Sequence, residues 1–127
     1  MRVNLSMKYV ILYVTDFEKS MKFYRDQLGL KVKMQQGTYV EFDTGPTTLS
    51  MNTREFVQEL IGLDMPQTDA PQSFEVGFTV ENVEDTIEKL RSAGVSVLKE
   101  PTVKPWGQTV AYVTDPDGHY IEICTAM

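Results

Sequence analysis

EVGFTVENVEDTIEKLRSAGVSV, residues 75–97, is predicted to form one strand followed by one helix. Residues 9–32, YVILYVTDFEKSMKFYRDQLGLKV, have the same design. When Tyr9 is aligned with Glu75, strand, capping and helix positions coincide in the pairs Val14/Val80, Asp16/Asn82, Phe17/Val83, Ser20/Thr86, Met21/Ile87 and Tyr24/Leu90. A chain that contains two such copies is predicted to fold as two similar halves.

Both predicted helices have start and stop signals, and three more strands follow each of them. Asp16 and Asn82 are good N-caps, because their side chains can accept a free backbone N–H of the first turn. Gly29 and Gly94 are typical of the residue that ends a helix. Strands are predicted at 8–14, 30–34, 39–43 and 48–52 in the first half, and at 74–80, 95–99, 108–114 and 120–124 in the second. The segment EPTVKPWG, 100–107, is predicted to be a loop.

These elements predict the fold class. Two β-α-β-β-β modules, 7–52 and 74–125, are joined by residues 53–73, which contain two prolines and a short helix at 54–63. That helix would carry Phe56, Leu60 and Leu63 on one side. The expected class is α+β, in a single domain over residues 1–127. Each module's helix would cover one face of its sheet and leave the opposite faces to meet one another.

The bulk composition limits the class of protein. With 127 residues, 42% hydrophobic and 24% charged, the chain is typical of a globular domain with its own core. No apolar run is long enough to span a bilayer, and no signal peptide is evident, so we expect a cytoplasmic protein. One cysteine excludes an internal disulfide, and the net charge of -6 argues against nucleic acid as a partner.

Strand alternation predicts which side chains face away from the helices. Val76, Phe78 and Val80 form the apolar set under the second helix, and Ile121 and Ile123 do the same in the last strand. Their neighbours in sequence therefore point to the opposite face. The candidate ligand-binding residues on that face and in the loop before the penultimate strand are Tyr9, Tyr13, Ser50, Glu75, Trp106, Tyr120 and Glu122.

Two of these candidates, Glu75 and Glu122, are carboxylates. A partly buried pair of carboxylates is costly unless it is hydrogen-bonded, holds a proton or meets a cation. Both are therefore candidate catalytic or ligand-binding groups; the alternative is that both reach water through an open groove. Cys124 is predicted on the same face without a cation nearby, so we expect an unreactive thiol.

The tandem modules and two motifs, VTDFEKSMKFYRDQLGL (14–30) and WGQTVAYVTDPDGHYIEI (106–123), resemble the vicinal oxygen chelate (VOC) superfamily. This superfamily includes glyoxalase I, bleomycin-resistance proteins, thiol-transferring fosfomycin-resistance enzymes and extradiol dioxygenases. The resemblance covers residues 8–124 and implies a concave sheet of the glyoxalase/bleomycin-resistance/dioxygenase type. One fold serves several chemistries, so the residues of the site must select the activity.

The resemblance also implies where a divalent metal would bind. Enzymes of the superfamily hold it through the first and last strands of each half, at positions that fall here on Tyr9, Ser50, Glu75 and Glu122. Only Glu122 is of the usual ligand type, so no metal cofactor is expected, although Glu75, Glu122 and water could hold Mg²⁺ or Mn²⁺ weakly. His119 is expected at a hairpin end, away from Glu122. As the single histidine, it excludes a dioxygenase site of two histidines and one carboxylate.

Two functions of different classes fit these residues. The first is binding of a small, partly aromatic or cationic molecule in a cleft between the halves, as in the bleomycin-resistance branch. Glu75 and Glu122 would supply negative charge, and Trp106 and the tyrosines would supply stacking surface. The alternative is a divalent-metal-dependent lyase or isomerase related to glyoxalase I, in which the two carboxylates hold the metal or act as an acid/base pair.

Three further alternatives stay open in the sequence. Trp106 could anchor its own loop instead of covering a ligand. The site could have decayed, which would leave a protein that serves in assembly. The resemblance implies a homodimer, whose modules pair within one chain or across two chains.

Overall fold

The computed structural model describes residues 4–66, 70 and 72–127. The chain divides into two compact units, Met1–Pro66 and Gln67–Met127. Among the described residues, no helix has the length and apolar character needed to cross a lipid bilayer.

The first unit is built on a four-stranded sheet. Its elements in chain order are β1 (Tyr9–Val14), α1 (Phe17–Met21), a π-helical segment (Lys22–Gln27), β2 (Val32–Gln36), β3 (Tyr39–Phe42), β4 (Thr48–Thr53) and α2 (Arg54–Ile61). The strand order is β1-β4-β3-β2. β1 runs parallel to β4, and the other neighbours are antiparallel.

The second unit repeats this topology. Its elements are β5 (Val76–Thr79), α3 (Val83–Ser92), β6 (Ser96–Val103), β7 (Thr109–Thr114) and β8 (Tyr120–Cys124). The strand order is β5-β8-β7-β6, again with one parallel pair, β5 and β8, followed by antiparallel neighbours. The predicted α+β class with two β-α-β-β-β repeats is therefore confirmed.

The predicted helix caps are confirmed in both repeats. Asp16 Oδ1 accepts the backbone N–H of Lys19 at 3.1 Å, and Asn82 Oδ1 accepts that of Asp85 at 2.9 Å. Each bond satisfies a donor that has no partner inside the helix.

The first helix differs from the prediction, because it does not stay α-helical to its end. After Met21 the chain widens into the π-helical segment, and the backbone N–H of Leu28 donates to the carbonyl of Phe23 at 2.8 Å. The segment buries Phe23 and Tyr24, and the Tyr24 ring packs against Phe42 with a centroid distance of 5.7 Å. The wider turn thus coincides with the two residues of the segment that are buried in the core.

The loop predicted at residues 100–107 is wrong in its first half, because β6 continues to Val103. Pro101 lies inside this strand. A proline has no N–H to donate and is tolerated only where no ladder bond is lost, and β6 is the edge strand of its sheet. The register with β7 shifts between Lys99 and Thr102, next to the proline.

The joint between the repeats also differs in detail. α2 ends at Ile61, and Gly62 adopts the left-handed conformation with φ 70°. Phe56 and Leu60, which were predicted on one side of this helix, are 47% and 69% exposed, and Leu63, beyond its end, is 62% exposed, while Val57 is buried. Of the two prolines predicted to interrupt the joint, Pro71 lies outside the described residues.

Strand alternation sets a buried and a polar face on each sheet. In the second unit, α3 packs on β6, β7 and β8, over a buried face that includes Ala111, Val113, Ile121 and Ile123. The register then places Gly77, Tyr112 and Glu122 together on the opposite side. We call this side, with Glu75 and Cys124, the polar face of the second sheet.

Candidate functional site

The polar face of the second sheet carries two glutamates that meet at one tyrosine. Tyr112 Oη lies 3.0 Å and 3.2 Å from the two carboxylate oxygens of Glu75, and 3.4 Å from Oε2 of Glu122. Strand register explains this cluster, because Tyr112 of β7 lies directly opposite Glu122 of β8. The phenol extends across β8 toward Glu75, which immediately precedes β5, and neighbouring strands are about 4.8 Å apart.

Gly77 makes room for Glu122. The two residues are direct neighbours in the register of β5 and β8. A Cβ atom at Gly77 would lie 3.0 Å from Oε1 of Glu122, a distance that real Cβ contacts essentially never undercut. The absence of a side chain at this position therefore lets the carboxylate lie over β5 and toward Tyr112.

The Tyr112 phenol is a donor and not an ionised group. Burial, the hydrogen bond to Glu75 and the negative charge of Glu122 raise the pKa of Tyr112 to about 12. Its one hydroxyl hydrogen serves two carboxylates, and the shorter contacts are to Glu75. Negative charge on this face is therefore only partly satisfied by the protein itself.

Cys124 completes the cluster as a neutral thiol. Its Sγ lies 3.5 Å from Oε1 of Glu122 and 3.6 Å from the carbonyl oxygen of Phe78. Burial first, and then the charge of Glu122, raise the pKa of the thiol. A raised pKa opposes formation of a thiolate, which agrees with the expectation that Cys124 is unreactive.

The donors of this face do not fit a divalent-metal centre of the kind that the superfamily implies. Within residues 4–66, 70 and 72–127, no group of three or more His, Cys, Asp or Glu side chains is placed to hold a metal ion. The cluster of Glu75, Tyr112, Glu122 and Cys124 contains no nitrogen ligand. Two carboxylates supply fewer protein oxygen ligands than Ca²⁺ takes, and they could hold Mg²⁺ only weakly, together with several waters.

His119 belongs to a turn and is bound to Asp115. Its Nδ1 lies 2.7 Å from Oδ2 of Asp115, whose carboxylate is fully buried. The other oxygen, Oδ1, accepts the backbone N–H groups of Asp117 and His119 at 3.0 Å and 2.8 Å. The position of His119 at the hairpin end is as predicted.

Trp106 and Tyr120 lie at the surface of the second unit. The indole is 63% exposed, and its Nε1 donates to Oε1 of Gln108 at 2.9 Å. Gln108 in turn donates to the carbonyl of Thr125 at 2.7 Å, which ties the loop to the end of β8. Tyr120 is 44% exposed at the start of β8. The hydrogen bond of Trp106 ties it to its own loop, and the residue as a whole stays largely exposed.

The remaining candidates lie on the first sheet. Tyr9 is 46% exposed, Tyr13 is half-buried and Ser50 is fully buried. β4 aligns with β1 so that Ser50 lies opposite Ile11, and with β3 so that Ser50 lies opposite Glu41. The structure therefore places these candidates on one sheet face with a carboxylate that the candidate set omits.

Two residues of the polar faces, Tyr112 and Glu41, were missed in the sequence. For Tyr112 a signal was present, because it alternates with Ala111 and Val113, which are small, apolar and buried. Glu41 has the same parity as Tyr39, and the Tyr39 hydroxyl donates to Oε2 of Glu41 at 2.7 Å. In both cases strand alternation predicts the face on which the side chain lies, but it does not predict the distance to the hydrogen-bond partner.

Comparison with known proteins identifies the family. The chain belongs to the glyoxalase-like domain family, whose sequence profile matches residues 7–127. The membership in the vicinal oxygen chelate superfamily that the motifs predict is thereby confirmed.

Relatives within the family carry different names. The chain is 34% identical over 124 residues to the uncharacterized protein YraH of Bacillus subtilis, covering 94% of this chain and 97% of YraH. It is 28% identical to a probable lactoylglutathione lyase of Synechocystis, covering 91% of both chains. It is also 28% identical to the metallothiol transferase FosB of Staphylococcus saprophyticus, covering 94% of this chain and 76% of FosB.

Solved structures show the same fold. A glyoxalase-related enzyme from Fulvimarina pelagi matches with a TM-score of 0.83 at 25% identity, covering 95% of this chain and 88% of that one. A glyoxalase/bleomycin resistance protein/dioxygenase from Nocardioides matches with a TM-score of 0.85 at 18% identity, covering 100% and 87%. At the latter identity the likeness concerns the fold alone.

Proposed function

We propose that this glyoxalase-like protein binds a small organic cation with an aromatic part on the polar face of the second sheet. The observation that carries the proposal is the contact of one hydroxyl, that of Tyr112, with two carboxylates, those of Glu75 and Glu122. Two negative charges that share one hydroxyl donor, with only a weak thiol donor beside it, attract a compensating positive charge.

The position of Glu75 gives such a ligand access. Glu75 is exposed and Glu122 is half-buried, so a cation that meets both carboxylates is partly removed from water. Electrostatic attraction is stronger there than between fully solvated charges. The tyrosine keeps its proton, and it therefore holds the two carboxylates in place without adding charge of its own.

Aromatic side chains of the second unit supply the second part of the proposed recognition. Tyr120 and Trp106 are 44% and 63% exposed, and an indole or phenol ring attracts a cation or stacks on a planar group. We infer that no divalent metal is required for this binding, since the donor set offers two carboxylates and no nitrogen.

Calorimetry with matched probes tests the proposal. Benzyltrimethylammonium is expected to bind with a dissociation constant in the micromolar to millimolar range, in buffer with a metal chelator, about tenfold or more tighter than neutral benzyl alcohol. Glu122→Gln should weaken the binding, whereas Glu81→Gln, at an exposed position, should not. Equal binding of the charged and the neutral probe would overturn the proposal.

A second candidate is a lyase or isomerase, which is favoured by the relatives named lactoylglutathione lyase. One carboxylate would take a proton next to a carbonyl group, and the protonated Tyr112 phenol would donate a hydrogen bond to the developing oxyanion. Metal analysis of protein purified without chelator, combined with an assay for lactoylglutathione lyase activity, separates the two candidates. Stoichiometric metal that is lost in Glu122→Gln, together with metal-dependent activity, favours the enzyme.

We also propose that the protein forms a homodimer in solution, as the superfamily implies. Size-exclusion chromatography with light scattering measures the mass directly, and a single species of 14.5 kDa would contradict the dimer.

A further inference from the structure

Glu41 is a buried carboxylate in the first unit. It lies in β3, is 9% exposed, and accepts a hydrogen bond at Oε2 from the Tyr39 hydroxyl at 2.7 Å. Among the described residues, the salt bridges join other acids to their cations and none includes Glu41. A buried carboxylate with one hydrogen bond and no ion-pair partner is costly, because its lost hydration is not replaced.

Ser50 lies next to this carboxylate and is also incompletely bonded. It is the direct register partner of Glu41 on β4, so both side chains project from the same face. Its side chain is fully buried, and within the described part of the chain its Oγ has no hydrogen-bond partner. A buried hydroxyl without a partner is destabilising relative to a satisfied one, because the hydration that it loses is not replaced.

Tyr39 links the two groups. Burial and the hydrogen bond to Glu41 raise the pKa of Tyr39, while the nearby Ser50 hydroxyl lowers it. Ser50 is therefore close to the phenol, although the pair lacks the geometry of a hydrogen bond. Because the Tyr39 hydroxyl hydrogen is used on Oε2 of Glu41, the phenol has none left for Ser50.

We propose that Tyr39, Glu41 and Ser50 form a second binding site, for a cation that carries at least two N–H groups, such as a primary ammonium or an amidinium. The positive charge compensates Glu41, one N–H donates to its carboxylate, and another donates to Ser50 Oγ. A neutral amide leaves the charge uncompensated, and a quaternary ammonium has no N–H to donate. The site lies within the first unit and does not rest on the function proposed for the second sheet.

Two exposed side chains on the same face suit an aromatic amine. Ile11 lies opposite Ser50 in the register of β1 and β4, and Tyr9 lies two residues before it on the same side. They are 43% and 46% exposed. Both side chains are partly exposed beside Ser50 in the sheet, and they offer apolar and aromatic contacts to a benzyl group.

Nuclear magnetic resonance of the ¹⁵N-labelled full chain tests the site, with benzylammonium as the probe. The amide signals of residues 40, 41 and 50 are expected to shift in a saturable way. Benzyltrimethylammonium at the same ionic strength should leave them in place, because it has charge and ring but no N–H. Glu41→Gln should weaken benzylammonium binding, measured by these shifts, at least about tenfold. Ser50→Ala should weaken this binding less.

Matched variants separate this site from the second sheet. Glu59→Gln removes one negative charge at an exposed position of α2 and should leave the first-unit shifts unchanged. Glu122→Gln should also leave the first-unit shifts unchanged. It should weaken ligand binding on the second sheet, which is reported by the amide signals of residues 112 and 122. Loss of first-unit shifts in Glu122→Gln, or equal shifts with both probes, would overturn the proposal.

The stability of the free protein gives a second readout. An unpaired carboxylate that is retained for binding lowers stability, so Glu41→Gln is expected to raise the thermal midpoint without ligand. Tyr39→Phe should keep the fold and weaken benzylammonium binding, because Glu41 is then no longer held in position. A lower midpoint for Glu41→Gln, with no saturable shift in the wild type, would assign the carboxylate a structural role only.

Discussion

Gly77 lies directly opposite Glu122, and a Cβ atom at Gly77 would come to 3.0 Å from Oε1 of that glutamate. The glycine is not needed for an unusual backbone conformation, because its φ is not among the positive values in the chain. It is needed for space, and the space is occupied by a carboxylate that also contacts Tyr112 and Cys124. The side chain missing from β5 thus leaves room for the Glu122 carboxylate in its position on the neighbouring strand.

Gly77→Ala is expected to displace the Glu122 carboxylate while the sheet stays intact. Binding of benzyltrimethylammonium should weaken by about 1 kcal/mol, since one of the two charges moves away from the ligand. Calorimetry measures the affinity, and urea unfolding measures the stability. Thr79→Ser, on the same strand and face, is the matched control. Wild-type affinity in Gly77→Ala would contradict the role given to this glycine.

The repeats, their caps and the last strand were predictable from local patterns. β8 spans Tyr120–Cys124 as expected, because Ile121 and Ile123 alternate with polar residues. Tyr112 was not predicted as part of the cluster, because its contact with Glu75 crosses a whole intervening strand. Alternation specifies a face, whereas the length of the phenol and the register of three strands decide which groups meet.

The π-helical segment and the extended β6 show a second limit of local patterns. The spacing of Met21 and Tyr24 is compatible with an α-helix, and it gives no sign of the wider turn in which Tyr24 packs on Phe42. Pro101 normally indicates a loop, but its effect depends on whether the strand lies at an edge, and that is a property of the assembled sheet.

Tyr112 should make stability fall at high pH. Its pKa is raised from 10.0 to about 12 in the folded protein, so the unfolded chain loses the phenol proton first. The contribution of the Tyr112 phenol to stability is therefore fully present below the pKa of this group in the unfolded chain. It is lost as pH rises from about 10 toward 12. Tyr112→Phe should show a flatter decline across this interval in urea unfolding at stepped pH.

Spectrophotometric titration checks the same assignment independently. The wild type should contain a late-ionising tyrosine that is missing in Tyr112→Phe, while Tyr39, whose pKa is also raised, remains in both proteins. The assignment would be refuted if Tyr112→Phe lost a tyrosine that ionises in the ordinary range, while the late ionisation at high pH stayed the same as in the wild type.

Ser20 and Thr86 occupy equivalent helix positions in the two repeats, yet their hydroxyl groups differ in bonding. Thr86 donates to the carbonyl of Asn82 at 2.8 Å. Ser20 is fully buried, and in the described part of the chain its Oγ has no hydrogen-bond partner.

Ser20→Ala should therefore raise the free energy of unfolding by about 1 kcal/mol, since a buried unsatisfied hydroxyl is removed and alanine favours the helix. Thr86→Ala, as the paired substitution, removes a satisfied hydroxyl and should not stabilise the protein. Urea unfolding of both variants measures the difference, and a destabilised Ser20→Ala would show that the hydroxyl has a partner, such as a buried water.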